Sequence, residues 1–328
     1  MKSELRKVTF GLAAILMSGA LFTTSCGDGK GKTDSSQGDE LKGSISISGA
    51  WALYPMAISW RDEFVKLHPG VRIDISAGGA GKGMADVLSG MVDLCMFSRE
   101  VHDEEIRRGA WWIAVTRDAV VPTINAKNPV MAEISKKGLK KSDFMNLYLR
   151  EQKWTWGQFA GIKNADKINI YTRSDACGAA EMWAKYLGAN QEDLKGIGVF
   201  GDPGIADAVK NDKLGIGYNN VNFAYDMKTR LPYPNLVILP IDQNENGVID
   251  EDEKVYKTLD DIIKAIKEGK YPSPPARDLY FVSKGAPTNK VVIAFLEWIL
   301  TEGQQYVDQA GYVELNEEQI NAELQRLK

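Results

Sequence analysis

Apolar and polar residues alternate in "SISIS", which places Ile45 and Ile47 on one face of a short strand followed by the turn "GAWALYP". A helix is predicted from Pro55, a favoured first-turn residue, to Leu67, where His68-Pro69-Gly70 stops it. The cycle then repeats. "VRIDIS" reads as a second strand and "AGGAGKG" as its turn, and the next helix carries Met84, Val87, Leu88 and Met91 on one face. "VDLCMF" is a short apolar strand ending at Ser98-Arg99. "IAVTRDAVVPTI" is a crossover strand preceded by Trp111-Trp112, a pair expected in the core. "KINIYT" opens another strand, turn and helix, closed by Gly188 as a C-terminal cap. Later, "NLVILPI" predicts a strand and "KTLDDIIKAIKEG" a helix. "VVIAFLEWILTEGQQYV" predicts an amphipathic helix burying Val292, Phe295, Trp298 and Ile299. "KKGLKK", Lys136 to Lys141, is expected to be a solvated loop.

Strands alternating with helices predict an α/β fold, with mixed sheets flanked by helices on both faces. Ligands of such sheets sit beyond the carboxyl ends of the strands, where helix N-termini present unpaired N–H groups and attract anions. Three glycine-rich or small-residue turns in this chain are placed to do that. Glycine turns alone serve tight packing equally well.

The first 25 residues stand apart. Lys2, Arg6 and Lys7 precede an apolar run from Val8 to Phe22, too short for a comfortable membrane span, and residues 1–25 read as a secretory signal. "LFTTSC" resembles a bacterial lipobox, although Thr23 replaces the usual aliphatic residue. Cys26 is therefore expected to carry lipid, and the alternative is a secreted protein cleaved near it. Residues 26–42 are polar and glycine-rich, as in a flexible tether. Removing the signal's three positive charges and one negative charge moves the formal net charge from -4 to -6. An acidic chain without a basic tract is a poor partner for nucleic acid. Cys95 and Cys177 are expected to be free thiols.

The turns resemble, in order and spacing, those of the periplasmic phosphate-binding proteins of phosphate ABC transporters. "GAWALYP" is similar to that family's first loop and "AGGAGKGMADVLSG" to its second. "VDLCMFSRE" is similar to its D-x-x-x-x-S-R segment, and "TRSDACGAAEMW" to its R-x-D-G-S-G-T helix start. "TWGQFAG", "GIGY" and "YPSPPARDLYFVSKG" follow in register. The resemblance implies a type II periplasmic-binding-protein fold with a two-stranded hinge. Lobe 1 would be residues 43–118 and 280–328, and lobe 2 residues 119–279. It implies a lipid-anchored, monomeric solute-binding protein facing the periplasm, which hands phosphate or a similar small anion to an ABC permease. The ligand-facing set it implies is Ala52, Leu53, Tyr54, Ala80, Gly81, Arg99, Arg173, Cys177, Gly178 and Ala179. Leu53, Ala80, Cys177 and Ala179 stand where the family carries hydroxyl residues, which leaves open another oxyanion, a phosphorylated or carboxylated organic ligand, or a non-transport lipoprotein, sensor or surface interaction protein, on the same fold with an altered or lost phosphate site. Asp175 is either the acceptor for a phosphate proton or a turn residue capping the following helix.

Two further features carry chemistry. Residues 242–253, "DQNENGVIDEDE", match D-x-[DN]-x-[DN]-G-x5-E without a gap. Asp242, Asn244, Asn246, the Val248 carbonyl, Asp250 and Glu253 are the expected ligands of a structural calcium ion, and an acidic metal-free turn is the bland alternative. Cys177, at a helix start near Arg173, has either a depressed pKa suited to nucleophilic catalysis or a filler role. With His102 the nearest candidate base, a binding protein and not an enzyme is expected.

Overall fold

The computed structural model describes residues 40–328. The signal, Cys26 and most of the tether lie outside the described residues. The strands are β1 (Gly43–Gly49), β2 (Val71–Ala77), β3 (Leu94–Phe97), β4 (Ala110–Asn125), β5 (Leu139–Lys140), β6 (Asn169–Arg173), β7 (Ile197–Val199), β8 (Gly215–Asn220), β9 (Leu236–Ile238), β10 (Ile241–Asp242) and β11 (Ala276–Lys284). One curled sheet runs β2-β1-β3-β11-β4-β8-β6-β7, with β9 also on β4. β1 pairs in parallel with β2 and β3, and β6 with β7 and β8. Parallel neighbours require helical crossovers, and these cover both faces.

The sixteen-residue strand β4 makes the fold two-lobed. Residues 110–119 pair with β11, and residues 120–124 pair with β8. β4 and β11 are thus the two strands that pass between the lobes. Each side has its own core: one gathers Ile45 to Val115 with Leu279 to Leu315, the other Ala119 to Ala276 with Val313. At the crossing Asp118 faces Arg277 in register and lies 3.2 Å from it, both side chains being buried.

Most predicted elements appear, with three corrections. Met91 does not continue the helix Ala80–Ser89; Gly90 ends it with φ 78°, and Met91 is 74% exposed. "KKGLKK" is not a solvated loop. Lys136 and Lys137 finish the helix Met131–Lys137, and the buried Leu139 belongs to β5, which pairs with β10. Trp111 and Trp112 are half-buried at the rim of the first core, where the Arg326 guanidinium lies 5.6 and 5.1 Å from their rings. Among the described residues no helix is long and apolar enough to cross a membrane.

Candidate functional site

Four helix starts meet where the lobes face each other. In lobe 1 the turn Trp51–Leu53 runs into the helix Tyr54–Leu67, and Gly79 precedes the helix Ala80–Ser89. Lobe 2 brings Gly178, first residue of the helix to Leu187, and Gly201, first residue of the helix to Asn211. The glycines set how closely they approach. A methyl group on Gly178 would lie 2.2 Å from the Ser98 carbonyl oxygen and 2.3 Å from its hydroxyl. One on Gly81 would lie 2.8 Å from the Ala176 methyl, and the Gly81 N–H donates to the Ala176 carbonyl at 3.1 Å. The lobes are shut against each other.

The opening N–H groups of a helix have no acceptor within it. Gly81's is used across the seam, and Cys177's donates to Gln191 Oε1 at 3.2 Å. No hydrogen bond among the described residues takes those of Ala52, Ala80, Gly178 or Ala179. Beside them sits Ser98, buried at the end of β3 and touching Gly178. The side chains of Ala52, Leu53, Ala80, Cys177 and Ala179 are packed into the two cores, so of these residues Ala52, Ala80 and Ala179 have only a backbone N–H to offer, while those of Leu53 and Cys177 are already taken. Tyr54 is half-buried against the first core, 6.3 Å from the Trp51 ring.

Arg173, at the end of β6, is buried, its side chain 1% exposed. Nε and Nη2 donate to the two oxygens of Asp175 at 2.8 and 2.5 Å, and Nη1 donates to Asp202 at 2.5 Å. Burial works against the guanidinium's charge, but Asp202 and Asp175 overrule it and hold the pKa above its ordinary range. Asp175 does not cap the helix Gly178–Leu187: Cys177 is the N-cap and supplies no side-chain bond. Asp175 instead accepts the Gly201 N–H at 3.1 Å, and a methyl on Gly79 would lie 2.9 Å from it. A protein carboxylate therefore reaches in among the helix starts.

Arg99 has a different role from a free guanidinium reaching for a ligand. Nη2 and Nη1 chelate Glu105 at 2.7 and 3.0 Å, and Nε pairs across the cleft with Glu181 at 2.9 Å. Burial pushes the Glu105 carboxyl up, but Arg99 and the His102 N–H hold it below the usual range. His102 Nε2 lies 3.1 Å from Glu181, and Lys185 pairs with Glu100 at 2.8 Å. These interlobe pairs edge a cleft of about 440 Å³ lined by Gly81, Arg99, His102, Cys177, Glu181 and Gln191. An exposed ion pair such as Lys185–Glu100 contributes about 0.2–1 kcal/mol, so it guides closure and does not drive it.

Cys177 is a buried free thiol whose pKa burial pushes up to about 12, Arg173 opposing only in part. The shift runs opposite to the depressed value expected of a nucleophilic thiol. Cys95, fully buried in the first core, is not expected to react with an alkylating reagent until the chain is denatured; prompt labelling of native protein at Cys95 would contradict this burial. Sequence reading missed Asp202, Ser98 and Gln191. The proline in "GDPG" is a local mark of the helix start carrying Asp202 that sequence reading passed over, and nothing local marks its pairing with Arg173. The 242–253 loop lies in lobe 2, and none of its residues lines this cleft.

A two-lobed α/β protein with helix starts converging on its interlobe cleft is a binding protein of type II architecture. The chain belongs to the PBP superfamily: a family model for the PBP superfamily domain matches residues 34–302. The phosphate-binding protein PstS of Staphylococcus aureus (strain USA300) is 26% identical over 328 residues, covering 98% of this chain and 90% of that protein. A Clostridium perfringens structure described as a phosphate ABC transporter substrate-binding protein with bound phosphate is also similar. It is 20% identical with a TM-score of 0.68, covering 84% of this chain and all of that one. An ABC-type phosphate transport receptor from Vibrio cholerae matches with a TM-score of 0.58 at 17% identity, over 83% of this chain and all of the receptor.

Proposed function

We propose that this chain is the solute-binding component of an ABC importer and captures phosphate, or a closely related oxyanion, between its lobes. The observation that carries the reading is the meeting of four helix starts around the Arg173–Asp175–Asp202 cluster, with N–H groups from both lobes left over. The names of its relatives point the same way.

The energetics are adequate without the usual hydroxyls. Micromolar binding needs about 8 kcal/mol, and a hydrogen bond to a charged group contributes about 1.5–3 kcal/mol. Three to five donors therefore suffice. The N–H groups of Ala52, Ala80, Gly178 and Ala179 and the Ser98 hydroxyl supply that number. Because the donors come from both lobes, an anion favours the closed form by contacts it makes only there. Asp175 sets selectivity: its carboxylate accepts from a protonated oxyanion and repels one that carries no proton.

No step of this reading requires chemistry on the ligand. A signal peptide, a lipid on Cys26 and delivery to a membrane permease complete it, supported by the basic-apolar leader and "LFTTSC". Calorimetric titration with phosphate, sulfate and an organic phosphate monoester is the test. Micromolar phosphate binding with at least tenfold weaker sulfate is expected. Absence of phosphate binding at millimolar concentration would remove phosphate as the solute.

A further inference from the structure

From the loop between β10 and the turn Glu251–Glu253 we infer that lobe 2 holds one calcium ion, ligated by residues 242–253. The sequence register is complete, yet an acidic loop alone is no site. The independent observation is a pair of buried carboxylates with no basic side chain against them. Asp242 is 2% exposed and Glu253 3%, and among the described residues neither they nor Asp250 forms a salt bridge. Asp242 Oδ2 accepts the Gly247 N–H at 2.8 Å, which aims the side chain into the loop, while Oδ1 is buried without any partner. An orphaned carboxylate oxygen in such a place is costly unless a cation takes it.

The backbone is already folded for that purpose. Gly247 adopts φ 86°, a left-handed conformation that glycine reaches without a side-chain penalty. Glu253 Oε1 accepts the Gln243 N–H at 2.7 Å and Oε2 the Asp250 N–H at 3.1 Å, so its carboxylate spans both ends of the loop. Among the described residues no three Asp, Glu, His or Cys side chains form a metal cluster by themselves. Asp242, Asp250 and Glu253 must therefore draw closer together on binding, with the Asn244 and Asn246 amide oxygens and the Val248 carbonyl completing the set. The amide nitrogens of both asparagines now donate to Asp250 Oδ2 at 2.8 Å, and ligation requires those amides to turn. An all-oxygen set mixing carboxylates, amides and a carbonyl suits calcium, which accepts six to eight ligands in flexible geometry, better than magnesium.

The ion would staple lobe 2 rather than touch the cleft. Asp242 ends β10, which pairs with β5, and the Ile249 N–H donates to the Lys136 carbonyl at 3.0 Å. A methyl on Gly138 would lie 2.4 Å from the Ile249 side chain, so the loop seats directly on the 136–140 segment. Closing the loop fixes that segment to the strand leading from β9.

The test uses the full mature chain stripped with a chelator. Calcium is titrated calorimetrically, with magnesium in parallel, and melting is followed with and without calcium. One ion per chain is expected, with a dissociation constant in or below the 10⁻⁴–10⁻³ M range of extracellular modules, and with a melting temperature raised by calcium and unaffected by equimolar magnesium. Glu253→Gln should weaken calcium at least tenfold and abolish the melting shift. Should that variant not fold, Asn246→Ala on the exposed rim serves instead, with a smaller loss of affinity in the same direction. No heat and an unchanged melt for the wild-type chain at about 10 mM calcium, well above that range, would overturn the site, as would a shift that survives Glu253→Gln.

Discussion

Arg173→Ala is expected to lower the melting temperature by on the order of 10 °C and to abolish phosphate binding. The guanidinium is the sole cation that pairs with Asp175 and Asp202 among the described residues, and all three side chains are at most 8% exposed. Removing it leaves two carboxylates facing each other out of water. Breaking a buried pair by deleting one partner costs about 3–5 kcal/mol. It also releases Asp175, whose carboxylate is held beside Gly79 and on the Gly201 N–H by that clamp. Arg173→Lys separates the two effects. A lysine restores the charge but cannot fork to Asp175 and reach Asp202 together, so stability should recover in part while phosphate binding stays weak. A melt within a degree or two of wild type for Arg173→Ala would show that Arg173 does not hold the cluster.

The second large effect is purely functional. Gly178→Ala adds one methyl group, and in the closed form that methyl would overlap the Ser98 carbonyl and hydroxyl at 2.2 and 2.3 Å. Ser98 belongs to lobe 1 and Gly178 to lobe 2, so opening the cleft relieves the clash. The lobes should fold normally, since alanine suits a helix at least as well as glycine. Closure is what suffers. Phosphate affinity should fall at least about a hundredfold, equivalent to roughly 2.7 kcal/mol of lost closing energy, with a melting temperature near wild type in the absence of ligand. Undiminished affinity would mean that this contact is not part of the bound state.

Much of the frame was legible because the chain punctuates itself. Strand-period alternation at Ile45 and Ile47, proline at a helix start and glycine at a helix end act locally, so sequence reading found the elements. Where the determining contact was distant, it did not. Met91 fits the apolar face of its helix, and only the backbone of Gly90 excludes it. Leu139 hides between lysines because β5 pairs with β10, about a hundred residues later. In the site, the turns were found and their side chains misjudged. Position along the chain placed Leu53, Ala80 and Ala179 at the ligand, while packing turned them into the cores; only the N–H groups of Ala80 and Ala179 stay without an acceptor, that of Leu53 donating to Ala50. Arg99 looked like a free cation until Glu105 and Glu181 were brought against it by the fold. Asp202 lies 29 residues from the arginine it neutralises, a pairing no local pattern encodes.

Phosphate added to isotope-labelled protein, with backbone amide resonances followed by nuclear magnetic resonance, addresses the donors themselves. The account predicts large shifts at Ala52, Ala80, Gly178 and Ala179 together, from both lobes, at a single saturating concentration. Saturable shifts confined to one lobe, or falling elsewhere while these four amides stay unmoved, would contradict it.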